Sequence, residues 1–196
     1  LGRSISKFET ISLDFLVNNG DLYFAITDRN DILHILKYAP DEPNSLSGQR
    51  LVHCSSFNLF SSNTCMKLLP KNEEFDEGGS DTNSYQVIAA QVDGSMFKVL
   101  PQPEDAYRRL YVLHQQLTEK ENQLAGLNPH MERLANEFYH ISNTMRPVLD
   151  YNVIKKFASL PIEKRNNLGK KTGRRSDVNI WRDLIDIEFS LRSLSK

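Results

Sequence analysis

The chain has 196 residues, with 24 Lys and Arg against 25 Asp and Glu, a formal charge of −1. That length holds one or two domains, and the balanced charge excludes a chain that binds nucleic acid through net charge alone. No apolar run approaches the roughly 18–20 residues that a membrane-crossing helix needs, so no membrane partner is expected.

The first half reads as short strands with turn punctuation. Residues 12–17, 22–27 and 32–38 are apolar-rich runs separated by Asn18-Asn19-Gly20 and Asp28-Arg29-Asn30. Tight loops between neighbouring runs predict an antiparallel meander. A polar loop with two prolines, 40–48, precedes strand candidates at 51–57 and 65–69. Residues 71–84 are acidic, carry Gly78-Gly79 and lack apolar periodicity, which predicts an exposed, dispensable loop. Runs 85–92 and 95–100 then flank Asp93-Gly94, a strong hairpin signal because both turn positions favour positive φ. The expectation is about seven strands, three in one group and four in the other. Four-stranded antiparallel units are propeller blades, with a sandwich as the alternative. The Gly-His and Trp-Asp signature of a WD40 blade is absent.

From Pro103 the pattern becomes helical. Proline suits the first helical position, and Glu104 and Asp105 suit the positive end of the helix dipole. Tyr107, Leu110, Tyr111, His114 and Leu117 form a stripe at three- and four-residue spacing. Gly126 stops this segment, and Asn128-Pro129 opens a helix with inner face Met131, Leu134, Ala135 and Phe138. Asp150 caps a helix with inner face Val153, Ile154, Phe157 and Ala158. Pro161 starts a short one carrying Ile162 and Leu168, Gly173 stops it, and Ser176 caps the last helix. That last helix carries two apolar stripes. Ile180, Leu184, Ile187, Leu191 and Leu194 form one; Val178, Trp181, Ile185 and Phe189 form the other. A surface helix normally buries one stripe. Trp181, Leu184, Ile185 and Leu191 are therefore candidates for packing between elements or against a partner.

Catalytic signatures are absent: no phosphate-binding glycine loop, zinc-protease helix or nucleophile elbow. His53-Cys54 with Cys65 offers three metal-ligand types without a short-spaced pair, so strand packing is the expectation and no metal or cofactor is assigned. Cys54 and Cys65 are expected as buried thiols on adjacent strands rather than a disulfide. Asp28 and Asp31 read as turn formers, and Asp183 with Asp186 as solvated surface. The stretch 164–175 holds six cations, Lys164, Arg165, Lys170, Lys171, Arg174 and Arg175, with no acid among them. It is a candidate contact for RNA phosphates or an acidic partner, or a solvated turn. No aromatic residue is interleaved to stack bases.

Asp93-Gly94, Leu100-Pro101, Tyr107-Arg108-Arg109-Leu110, Ala125-Gly126-Leu127-Asn128-Pro129, Arg146-Pro147-Val148-Leu149-Asp150, Lys170-Lys171-Thr172-Gly173 and Trp181-Arg182-Asp183-Leu184 occur in this order. Together they resemble the C-terminal part of the large, triple-propeller subunit of the cleavage and polyadenylation specificity factor, in a divergent fungal form. The pattern departs at Tyr151, where the resemblance leads to a glycine after the aspartate. The resemblance implies a fold of β + α type: residues 1–102 as the terminal two blades of a β-propeller, incomplete alone, and 103–196 as a C-terminal helical domain packed between propellers. It implies a non-catalytic, nuclear scaffold of pre-mRNA 3′-end processing. Its partners would be a WD40-repeat subunit and a CCCH zinc-finger subunit, with pre-mRNA bound directly or through them. Two alternatives share the architecture: an adaptor of a DNA-damage ubiquitin ligase, and a subunit of the U2 splicing particle. A third alternative is a direct RNA-binding module using the basic stretch. The chain begins at Leu1, and a piece of a longer protein is the expectation.

Overall fold

The computed structural model describes residues 2–18, 20–70, 85–120, 147–172 and 176–192. The described residues form a mixed β + α fold in two compact units. One holds residues 2–18, 20–70 and 85–101 with Pro147 and Val148; the other holds 102–120, 149–172 and 176–192. The expected loop at 71–84, the helix placed after Asn128, Gly173, Arg174, Arg175 and Leu194 lie outside the described residues.

The β-unit contains seven described strands: β1 Thr10–Asn18, β2 Asp21–Asp28, β3 Ile32–Tyr38, β4 Val52–Asn58, β5 Asn63–Pro70, β6 Tyr85–Gln91 and β7 Met96–Val99. All neighbouring strands are antiparallel, in sheets of order β1-β2-β3-β4 and β5-β6-β7. The grouping thus differs from the expected three and four: β4 pairs with β3, Ile35 opposite Ser55, and completes the first sheet. Ser55 and Ser56 are buried in that pairing, a long-range choice that local sequence does not encode.

Leu16, Ala25, Leu33, Ile35 and Val87 form the core, with Tyr23, Phe57, Met66, Leu68, Phe97 and Val148 packed on it. A polar seam joins the sheets beside this core. Asp14 Oδ2 accepts from the Leu68 backbone N–H at 2.7 Å, so a carboxylate occupies the free edge of β5. Asn63 donates to Ser12 Oγ and Thr27 Oγ1 at 3.0 and 3.2 Å. Because Ser12, Asp14 and Leu16 face inward, Ile11, Leu13 and Phe15 face out and are exposed. Phe15 packs against Phe24 there, ring centroids 5.4 Å apart.

The hairpin forms, with a different loop from the one expected. Gln91 N–H donates to Ser95 O, Gly94 N–H donates to Gln91 O, and Gly94 alone in the loop has positive φ, 83°. This is a three-residue loop closed by a left-handed glycine. Asp93 acts through its carboxylate, which accepts from Ser95 N–H at 2.9 Å. Both cysteines are free thiols on strands of different sheets, Cys54 half-buried and Cys65 exposed, so neither adjacency nor full burial holds.

The helical unit contains α1 Glu104–Lys120, α2 Tyr151–Ile154 continued by a 3-10 turn Lys155–Ser159, α3 Ile162–Thr172 and α4 Ser176–Arg192. On α1 the innermost stripe is Ala106, Leu110, Leu113 and Leu117, rotated from the expected one; Tyr107, Tyr111 and His114 are half-buried. Asp150 Oδ1 accepts from Asn152 N–H at 2.8 Å and caps α2 as expected. Val153, Ile154 and Phe157 are buried, whereas Ala158 is exposed because the tighter 3-10 turn moves it off the inner face. Ile162, in the first turn of α3, is exposed, while Leu168 is buried.

Candidate functional site

The last helix, α4, sorts its residues cleanly by face. Ile180, Asp183, Leu184, Ile187 and Ser190 are buried, and Leu191 is half-buried beside them. The second apolar stripe turns outward: Val178, Ile185 and Phe189 are 68%, 62% and 49% exposed. Arg182 shares that face, and Trp181 stands half-buried at its rim. One turn of 3.6 residues accounts for both sets, since 178, 182, 185 and 189 recur every three to four positions.

Trp181 is held from two sides within this unit. Phe157 approaches at 5.8 Å between centroids with rings tilted by 60°. Arg165, from α3, lies with its guanidinium carbon 5.5 Å from the indole centroid. The Arg165 Nε is buried and has no hydrogen-bond partner. Among the described residues of the basic stretch, Arg165 thus stands apart from the exposed lysines. Arg165 turns inward onto an aromatic ring that the sequence separates from it by sixteen positions. Lys164, Lys170 and Lys171 are exposed, and successive helical residues turn by about 100°, so Lys170 and Lys171 leave α3 on different sides.

Asp183 corrects an expectation. It is buried, not solvated, and pairs bidentately with Arg109: Nε to Oδ2 and Nη2 to Oδ1, both 2.9 Å. The bond holds the Arg109 guanidinium above its ordinary pKa. Asp186 is exposed. The sequence signal was available: Asp183 sits inside the stripe running from Ile180 to Ile187. Tyr151, the departure from the family pattern, also has a partner. Its hydroxyl donates to Glu188 Oε2 at 2.9 Å, and burial, followed by this bond, pushes its pKa up to about 12.

A second polar arrangement was missed in the sequence. Asp28 Oδ1 accepts from the N–H groups of Asn30 and Ile32, as a turn former does. Its Oδ2 meets His34 Nε2 at 3.1 Å, His34 Nδ1 meets Ser56 Oγ at 3.0 Å, and Ser56 Oγ meets His53 Nε2 at 2.8 Å. A carboxylate only accepts, so His34 Nε2 carries the proton. In the neutral ring Nδ1 then accepts from the Ser56 hydroxyl, which in turn accepts from His53. The order resembles a catalytic relay, but Asp28, His34 and Ser56 are all buried and the serine hydroxyl is committed on both sides. Its work is to brace the β2–β3 turn against β4.

That brace carries a pH dependence. His53 is pushed down to about 4 from 6.5, by burial first and by repulsion from His34 second. The unfolded chain regains the ordinary value and binds more protons in that window. Stability is therefore fully present above pH 6.5 and is lost as pH falls through about 4. Hydrogen exchange over residues 52–58, corrected for intrinsic rates, should show protection falling from pH 7 to pH 5. His53→Gln should flatten that fall; an unchanged slope would remove His53 as its cause.

Among the described residues no group of three or more His, Cys, Asp or Glu is placed to hold a metal ion. No described helix is long and apolar enough to cross a membrane.

Residues 1–159 match the family model of the CPSF A subunit region. The chain is 59% identical over 194 residues to Protein CFT1 of Candida glabrata, covering 99% of this chain and 14% of that protein. It is 60% identical to Protein CFT1 of Saccharomyces cerevisiae over 194 residues, again 99% of this chain and 14% of the relative. Protein cft1 of Schizosaccharomyces pombe is 32% identical over 181 residues, 91% of this chain and 12% of the relative. The chain thus spans about one seventh of the length of the curated relatives it matches. A family match over most of the chain, together with these identities across nearly all of it, places the chain in the CPSF A subunit family.

Proposed function

We propose that this chain is the C-terminal part of a non-catalytic scaffold subunit in the nuclear machinery that cleaves and polyadenylates pre-mRNA. The observation that carries the reading is the family match over residues 1–159. In this reading residues 1–102 are terminal propeller blades and residues 103–196 a C-terminal helical domain. The outward apolar row Ile11, Leu13 and Phe15 supports it, since an exposed apolar sheet face is one that a neighbouring sheet covers in a ring of blades. The exposed stripe of α4 supports it likewise, as a face for a propeller or a partner subunit. Trp181, Leu184, Ile185 and Leu191 are the packing or partner-binding residues. Lys164, Lys170 and Lys171 remain candidate contacts for RNA or protein, and the buried brace does no chemistry on a substrate.

The test is purification of the full-length tagged protein from nuclear extract, with its partners identified by mass. A WD40-repeat subunit and a CCCH zinc-finger subunit of the 3′-end processing machinery are the expected partners. Recovery with a cullin ubiquitin ligase, or with the U2 particle, would contradict the reading.

A further inference from the structure

Ser56 Oγ stands between two imidazole nitrogens, His34 Nδ1 at 3.0 Å and His53 Nε2 at 2.8 Å. A hydroxyl has one proton to give, so both contacts are hydrogen bonds only when at least one ring donates. Two arrangements use that proton fully. In the first, both rings are neutral, His53 Nε2 donates to Ser56, and Ser56 donates to His34 Nδ1. In the second, His34 is an imidazolium. Its Nε2 donates to Asp28 Oδ2 at 3.1 Å, its Nδ1 donates to Ser56, and Ser56 donates to His53 Nε2, whose ring then carries its proton on Nδ1. The two differ by one proton. Every bond of the chain survives, with the direction reversed on either side of Ser56.

We infer that Asp28, His34, Ser56 and His53 form a proton relay, in which a proton taken up at His53 is passed through Ser56 and the positive charge comes to rest on buried His34 beside Asp28. Exposure selects the entrance. Asp28, His34 and Ser56 are all buried, and the Phe8 ring lies on His34 with centroids 4.1 Å apart, so half-buried His53 is the member of the four that solvent reaches. The transfer balances. A proton binds His53 Nδ1, the His53 Nε2–H bond breaks as an O–H bond forms on Ser56, and the former Ser56 O–H bond breaks as an N–H bond forms at His34 Nδ1. Charge selects the destination. Asp28, at the end of β2, touches the chain at His34, and an opposite charge at that distance favours the charged ring. The acids of the adjoining segments are engaged elsewhere: Asp31 accepts from Ser62, and Glu9 pairs with Arg29 at the surface. Phe8 brings no charge, and its ring face suits an imidazolium. The repulsion from His34 that holds His53 down agrees, since it acts only when His34 is already charged. A second proton has no such place. With both rings doubly protonated, Ser56 accepts from both sides and its own hydrogen faces two donors. The brace therefore holds through the first proton and fails at the second.

Deuterium exchange at the imidazole C2 position, read by mass spectrometry on peptides of the full-length protein, follows the protonation of each histidine. His34 should become protonated at higher pH than His53, with midpoints about one pH unit or more apart. Asp28→Asn keeps an oxygen for the turn and removes the charge. It should reverse the order: the His34 midpoint falls, and that of His53 rises by about one unit or more because no charged His34 repels it. Ser56→Ala leaves the charged His34 ring without an acceptor at Nδ1 and should lower its midpoint, whereas Ser56→Thr, which keeps the hydroxyl, should restore it. If Asp28→Asn unfolds the unit, both histidines titrate together at the ordinary midpoint, and the two Ser56 variants decide. His53 protonated first in the unchanged protein would overturn the inference. So would an unchanged order in folded Asp28→Asn, or a His34 midpoint that is the same in Ser56→Ala and Ser56→Thr.

Discussion

Replacing Phe157 with alanine should destabilise the helical unit by roughly 3–5 kcal/mol, the usual cost of emptying a buried aromatic site. Phe157 is fully buried and shares the core with Val153, Ile154, Leu168 and Ile180. It also carries one side of Trp181. The 3-10 turn that holds it is short, so the ring rather than the backbone ladder fixes that segment. Hydrogen exchange of α1 and α4 in the full-length protein is the readout. Protection of residues 110–117 and 180–190 should collapse together, while β2 and β3 stay protected. Loss confined to residues 151–159 would mean that Phe157 supports only its own turn.

The Arg109–Asp183 pair should give the second large effect. Asp183→Ala leaves a guanidinium facing a buried face with no acceptor, and the expected cost is roughly 2–4 kcal/mol. A fully buried pair loses about 3–5 kcal/mol when one partner is removed, and Arg109 reaches solvent in part. The double change Arg109→Met with Asp183→Leu should recover much of the loss, because apolar side chains of similar volume suit that site. A double variant as unstable as Asp183→Ala would show that the pair contributes more than charge balance. Thermal melting of the purified full-length protein, with exchange over residues 104–120, separates these outcomes.

These two sites mark where the sequence was legible and where it was not. Phe157 was readable because Val153, Ile154 and Phe157 repeat at helical spacing. The burial of Asp183 was readable from its place inside the stripe from Ile180 to Ile187, but its partner was not, because Arg109 lies 74 residues away and spacing carries no information across that distance. The strands show the same division. Each apolar run formed a strand, and Gly20 and Gly94 mark their turns with positive φ. Yet alternation in β1 defines two faces without saying which is inside. Ser12 and Asp14 turned inward because Asn63 and the Leu68 N–H wait there, and that pushed Ile11, Leu13 and Phe15 out. The assignment of β4 to the first sheet rests on pairing across residues 39–51, again a long-range choice. In the candidate site, both stripes of α4 were visible, but not which one the chain itself covers. The contact of Arg165 with Trp181 needed α3 and α4 packed side by side. Only that packing separates Arg165 from the exposed Lys164, Lys170 and Lys171 of the same stretch.

Complementation of a depleted nuclear extract tests the central claim, a scaffold without chemistry of its own, most directly. Extract stripped of the protein together with its bound subunits should neither cleave nor polyadenylate a pre-mRNA substrate. The full-length protein added alone should restore nothing. Added with those subunits, it should restore cleavage in the same fractions in which the complex reassembles. Cleavage of the substrate by the full-length protein alone would contradict the account.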